Sequence, residues 1–415
     1  MDFIPLGLTR PGLHVPPQGE FLSCVMPDTL QSITESNALI WPATSQDARI
    51  VSSRFTARAR RPNSGWLPVP RTIFMKINQV IITGKREVSL QPLSLEEGNL
   101  KPNELLIETE RSFISAGTEL ASYTATEAAV YQPGSWCCYP WKSGYANVGV
   151  VRDAGAHHRA LIGQRVFTHG PHASAFRYQT DPLYKLVAPV PDGLPPEEVV
   201  ATRMAMIAMS AVDAAKPEHM RWVVVIGLGM VGNLAAQLFR ITGANVIGID
   251  PSVARRRLAA ECGIPHVFAG TEEEVATEVR RLTGGRLAQV TVDAVGHSSI
   301  SIQALRLAAK GGEVIVLGSP RVEVAGNLTE VFAAAHLRWI TIKGTLEWNL
   351  PAESVIEQDY SQKKKLDGLF QWVSDGRLRI RPLLTHVLPP AEIKAAYEGL
   401  LNHKDEYVGV VLKWK

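Results

Sequence analysis

The run Val223-Val-Val-Ile-Gly-Leu-Gly-Met-Val-Gly232 carries the most legible chemistry in this chain. Gly227, Gly229 and Gly232 have the spacing required of a turn that joins a strand to a helix around a pyrophosphate. Gly227 permits the tight turn, Gly229 lets the backbone approach the phosphates, and Gly232 lets helix pack closely on strand. Leu228, Met230 and Val231 complete the turn, and the following helix offers its N-terminal amides to phosphate charge. Asp250 ends the next strand, about 20 residues on, where a carboxylate accepts hydrogen bonds from the adenine ribose. A carboxylate there repels a 2′-phosphate and favours NAD, while Arg255 and Arg256 keep NADP as the alternative. Capping the next helix is a second role open to Asp250, compatible with the first.

These residues need a particular scaffold. From about Trp222 the sequence alternates strand, turn and helix, with apolar β-branched runs at 221–226, 245–249, 289–294 and 313–317. That pattern predicts a parallel α/β sheet covered by helices on both faces. From Met75 to about Pro191, short apolar runs at 77–82, 105–109, 148–151 and 165–168 are punctuated by glycine and proline, which predicts a largely β domain with few helices. After Ile340 strands and two polar helices return, and the chain closes on an apolar run at 407–414. The expected division is a dinucleotide-binding domain over 193–340 and a β domain over 75–192 plus 341–415. Residues 1–74 lack periodicity and read as a disordered extension, with Met75 as an alternative start.

Composition narrows the class. A chain of 415 residues with 46% hydrophobic and 20% charged residues and a net charge of +3 is expected to be globular, with no basic footprint for nucleic acid. No apolar run approaches the roughly 20 residues of a membrane span, and no secretory signal opens the chain, so a cytoplasmic location is expected. Cys24, Cys137, Cys138 and Cys262 have neither disulfide-framework nor four-thiolate spacing and read as reduced thiols.

Over residues 75–415 the order of β domain, glycine-rich Rossmann unit and C-terminal return resembles the medium-chain dehydrogenase/reductase superfamily of zinc-type alcohol dehydrogenases. Ser115-Ala-Gly-Thr-Glu119 is similar to its Cys-Gly-Thr-Asp segment, and Gly144-Tyr-Ala-Asn-Val-Gly-Val-Val151 to its Gly-His-Glu-x-x-Gly-x-Val segment. Val292-Asp-Ala-Val-Gly296 and Leu317-Gly-Ser-Pro-Arg321 resemble later strand ends that line the nicotinamide. The resemblance implies an α/β fold with a GroES-like β domain and a Rossmann domain, NAD as cofactor, and a homodimer joined near residues 340–345. It also implies cofactor contacts from Val295, Leu317, Gly318 and Ser319.

The zinc ligands of that superfamily have no counterpart here. Ala116 replaces the cysteine, Tyr145 the histidine, the third position falls near Thr202 or Arg203, and the cysteine-rich structural lobe is absent. No metal is therefore expected. The Gly-Thr-Glu segment also resembles a zinc-lacking group that includes the bacteriochlorophyll-pathway hydroxyethyl-chlorophyllide dehydrogenase. Without zinc, side chains must handle the proton. Tyr145 is the first candidate, with Lys142 nearby to lower its phenol pKa; packing of the vacated space is its other reading. Thr118 matches a relay hydroxyl of the family, and Glu119 a structural carboxylate paired with a base.

Arg203 is read either as a substrate-binding cation or as half of an ion pair. An aromatic loop of Tyr123, Tyr131, Trp136, Tyr139 and Trp141 offers stacking faces for a ring substrate or simply core packing. The leading expectation is zinc-independent, NAD-dependent oxidation of a secondary alcohol on a small molecule, a sugar or specialised metabolite. Reduction of a conjugated double bond and a non-catalytic NAD-binding protein are the alternatives. The glycine motif favours the first over the second, because quinone and enoyl reductases usually carry Ala-x-x-Gly-x-x-Gly instead.

Overall fold

The computed structural model describes residues 73–215, 221–355 and 358–415; the extension read over 1–74 lies almost wholly outside them. β1 (Ile73–Gly84) pairs antiparallel with β2 (Glu87–Glu97), its register running from Ile73 opposite Glu97. Met75 is thus inside a paired strand. β3 (Glu104–Phe113) leads into α1 (Ala116–Tyr123), and β4 (Trp141–Lys142) returns to pair with β1. β5 (Asn147–Ala154), β6 (Arg165–Thr168), β7 (Ala175–Gln179) and β8 (Val187–Pro189) are short and mostly antiparallel to their neighbours.

α2 (Pro196–Ala215) then runs buried on nearly every side, packed against β3 and α3 (Met230–Ile241). Beyond its acidic first turn its sequence is mostly apolar, as suits a helix enclosed by other elements. From β9 (Trp222–Ile226) the chain alternates with α3, β10 (Asn245–Ile249), α4 (Val253–Glu261), β11 (His266–Phe268), α5 (Glu272–Leu282), β12 (Ala288–Asp293), α6 (Ser298–Leu307), β13 (Ala308–Val316), α7 (Leu328–Arg338) and β14 (Thr341–Gly344). Ser252 caps α4, and a Thr271–Glu274 capping box starts α5.

These strands form one parallel sheet in the order β11-β10-β9-β12-β13-β14. The order reverses between β9 and β12, and a crevice for a dinucleotide opens at such a switch point. β13 begins at Ala308 rather than at residue 313: the chain leaves α6 straight into the strand, and Gly311, with φ +73°, absorbs a register shift. α8 (Gln362–Ser374), β15 (Leu384–Leu388), α9 (Ile393–Asn402) and β16 (Gly409–Lys413) close the chain. β16 pairs antiparallel with β3, completing a seven-stranded sheet of GroES-like type. No helix among the described residues is long and apolar enough to cross a membrane.

Candidate active site

At the switch point, Gly227 has φ +91°, and a Cβ there would meet Val295 Cγ2 at 2.6 Å. A Cβ on Gly232 would lie 1.8 Å from the Gly227 carbonyl oxygen, so helix α3 and strand β9 can approach only through a glycine. Gly229 is different. A Cβ on it would come no nearer than 3.8 Å to anything, its nearest neighbour being the Arg255 guanidinium, which leaves space for a phosphate beside a cation. Gly229 is also the N-terminal cap of α3, whose first amides point the same way. These residues fit a dinucleotide.

The Asp250 carboxylate is 2% exposed and accepts from Leu228 N at 2.7 Å and Ser252 N at 2.8 Å, so it braces the glycine turn and the entry to α4, whose cap is Ser252 rather than Asp250. Arg255 Nη1 stands 3.7 Å away, while Arg256 is held by the Asp250 and Pro251 carbonyls. A carboxylate has roughly four lone-pair sites, which leaves some for ribose hydroxyls.

A cleft of about 520 Å³ runs from this turn to the β domain. Met230, Val231, Val295, Leu317, Gly318 and Ser319 line one wall. The ends of β12 and β13 touch there, since a Cβ on Gly318 would lie 2.2 Å from Gly296 N. Ser115, Thr118 and Tyr145 line the opposite wall. The Tyr145 hydroxyl donates to Thr118 Oγ1 at 3.2 Å and makes a short bond with Ser115 Oγ. Three hydroxyls are thus linked on the wall that faces the cofactor cradle. Burial pushes the Tyr145 phenol above its ordinary range, opposed first by the charge of Arg203 and then by the two hydroxyl contacts.

Other expected site residues stand elsewhere. Lys142 lies opposite Ile81 on β4 and its side chain is exposed, while Trp141 lies opposite Ile82 and packs on the cluster around Tyr123. Neither lines the cleft, because a two-residue strand sends its side chains to opposite faces and neither face is the cleft. The cation beside Tyr145 is instead Arg203. The aromatic loop packs on itself, Trp136 edge-on to Trp141 and Tyr131 edge-on to Tyr139, and also leaves the cleft wall to smaller residues.

Arg203 is fully buried in α2 and does not line the cleft. Its guanidinium lies 5.2 Å from the Tyr145 ring centroid and 4.9 Å from that of Trp348, with Nη2 at 2.8 Å from Glu347 Oε2. Burial and that cation hold the nearby His169 well below its ordinary pKa, hence neutral. Glu347 and Trp348 follow β14 on a short 3-10 turn, and nothing in the local pattern of the sequence marks them.

Glu119 is paired with a base, His172, whose Nε2 is 2.9 Å from Glu119 Oε2. The same carboxylate accepts from Tyr397 at 2.6 Å and from Ser115 N at 2.7 Å. His297 caps α6 and bonds Ser299.

Zinc takes thiolate, imidazole or carboxylate. At this end of the cleft the side chains are hydroxyls and a phenol backed by a fixed guanidinium, and Glu119 and His172 are committed to each other. Among the described residues no group of three or more His, Cys, Asp or Glu could hold a metal.

The fold is that of alcohol dehydrogenase-like oxidoreductases. Residues 230–359 match the family described as zinc-binding dehydrogenase. The chain is 25% identical over 354 residues to 2-desacetyl-2-hydroxyethyl bacteriochlorophyllide A dehydrogenase of Cereibacter sphaeroides, covering 82% of this chain and 99% of the relative. It is 30% identical over 194 residues to L-threonine 3-dehydrogenase of Bacillus licheniformis, covering 46% of this chain and half of that relative's length. Galactitol-1-phosphate dehydrogenase from Escherichia coli has the same fold, with a TM-score of 0.68 at 16% identity over 81% of this chain and 99% of that one. These matches support the placement of the chain in the zinc-type alcohol dehydrogenase-like medium-chain dehydrogenase/reductase superfamily.

Proposed function

We propose that this chain is a zinc-independent, NAD-dependent dehydrogenase of a secondary alcohol, on a sugar or a specialised metabolite. The observation that carries the reading is the linked hydroxyl set Ser115, Tyr145 and Thr118 on the wall facing the glycine cradle. NAD bound on that cradle supplies the hydride acceptor. Gly227, Gly229 and Gly232 hold its pyrophosphate, Asp250 its ribose, and Val295, Leu317, Gly318 and Ser319 the nicotinamide end. The Tyr145 phenol exchanges the proton of the substrate hydroxyl, and Thr118 and Ser115 hold that phenol and pass the proton on. Arg203 acts from behind Tyr145 rather than on substrate.

A cytoplasmic location belongs to the same reading, as does the division into 75–192 plus 341–415 and 193–340 with an extension over 1–74. The place of β15 and β16 beside β3 supports that division.

A panel measured by nicotinamide absorbance tests the proposal, with secondary alcohols and sugars against NAD or NADP, and enones and quinones against NADH. Alcohol turnover with NAD that survives chelation is expected. Turnover confined to the enones and quinones would replace the reading with a double-bond reductase, preference for NADP would overturn the cofactor, and tight NAD binding without any turnover would leave a binding protein.

We further propose a homodimer through β14. Among the described residues that strand is hydrogen-bonded on one side only, to β13, and Leu337, Trp339, Ile342 and Leu346 around it are 47–78% exposed. An unpaired edge flanked by apolar side chains is a pairing surface, and a second copy offers the same edge. Leu337→Glu with Ile342→Lys is expected to convert a dimer into a monomer in sedimentation velocity. A wild-type chain that sediments as a monomer would end the proposal.

A further inference from the structure

A guanidinium sealed into the middle of an apolar helix demands an account. Arg203 is always charged, and its five N–H donors normally grip a carboxylate in parallel pairs. Here Glu347 is its ion-pair partner at 2.8 Å, yet Nε, Nη1 and Nη2 make no hydrogen bond of normal geometry. Its charge is applied to aromatic faces instead, Tyr145 at 5.2 Å and Trp348 at 4.9 Å. The attraction is modest for a neutral phenol and far larger for a phenolate.

We propose that Arg203 is a positioning residue whose buried guanidinium, anchored by Glu347 behind the Tyr145 ring, supplies the fixed positive charge that stabilises negative charge developing on the Tyr145 oxygen. This rests on Tyr145 as the proton-exchanging group. The other groups facing that phenol are the Ser115 and Thr118 hydroxyls and the opposing carboxylate of Glu119; His169, packed against Trp348, is neutral. Arg203 is therefore the cation acting on Tyr145, and the charge of Glu347 tempers it. In zinc-containing relatives a metal places positive charge on the substrate oxygen; here the charge is covalently part of α2 and acts one group further back.

The test needs no substrate. Tyrosinate absorbance is followed against pH in the full chain, and the Tyr145 signal is taken as the difference from Tyr145→Phe. Arg203→Met is expected to move that signal up by about one pH unit, a tenfold loss of ionised phenol at a given pH. Arg203→Lys is expected to restore most of the shift. Glu347→Gln, which keeps the volume and removes the opposing charge, is expected to move the signal down, and it decides the matter if Arg203→Met does not fold. An unchanged midpoint in the folded variants, or a wild-type Tyr145 that stays un-ionised until the chain unfolds, overturns the inference. Failure of every alcohol in the panel would sink the proposed activity and leave this titration readable.

Discussion

Tyr145→Phe is expected to lower kcat/KM for the best secondary alcohol by about 10²–10⁴-fold, the range a positioned acid or base contributes. NAD affinity is expected to stay within twofold, because Tyr145 stands across the cleft from Gly227–Gly232 and makes its hydrogen bonds with Ser115 and Thr118. The pH dependence follows from the direction of the shift. Burial raises the Tyr145 phenol above its ordinary value, so at neutral pH it is protonated and ready to donate toward a carbonyl. Alcohol oxidation needs the ionised form, whose fraction grows with pH below that raised value. Oxidation by the wild type is therefore expected to climb as pH rises from 7, and the climb is expected to vanish in Tyr145→Phe. A variant within threefold of wild type, with the climb intact, would make Tyr145 a space-filling residue and pass the proton role to Thr118.

The parts of this architecture that the sequence makes legible are those where backbone geometry leaves little choice. A parallel sheet buried on both faces demands continuous apolar runs, which is why β9, β10 and β12 stand where the pattern predicts. Gly232 is equally constrained, since any side chain would collide with the Gly227 carbonyl. Side-chain direction in short or irregular segments is not constrained in that way. Trp141 and Lys142 are neighbours of Tyr145 in sequence, but pairing with β1 turns both from the cleft. Ser115 is part of a recognisable segment, yet its role depends on how α1 begins. The Arg203–Glu347 contact joins α2 to a turn beyond the whole parallel sheet, a distance that no local periodicity encodes.

Glu119→Ala is expected to destabilise the folded chain by about 3–5 kcal/mol, the cost of stranding one half of a buried interacting pair. The carboxylate is fully buried and has three neighbours that depend on it: Ser115 N at 2.7 Å, Tyr397 Oη at 2.6 Å and His172 Nε2 at 2.9 Å. Tyr397 retains Ser143 Oγ at 3.2 Å, and His172 retains Ser112 Oγ at 2.8 Å through Nδ1. The Ser115 amide and His172 Nε2 have no such second partner, and a stranded buried donor costs about 1–3 kcal/mol. Glu119→Gln keeps an oxygen for one of the three and is expected to cost less than half as much in chemical denaturation. Equal denaturation midpoints for wild type and Glu119→Ala would mean that the cluster relaxes freely. The two outcomes differ in function as well, because Glu119 fixes the backbone of Ser115 and through it the hydroxyl that meets Tyr145. In a rigid cluster, Glu119→Ala also lowers the turnover of the molecules that remain folded; in a cluster that relaxes, turnover per folded molecule stays at the wild-type value.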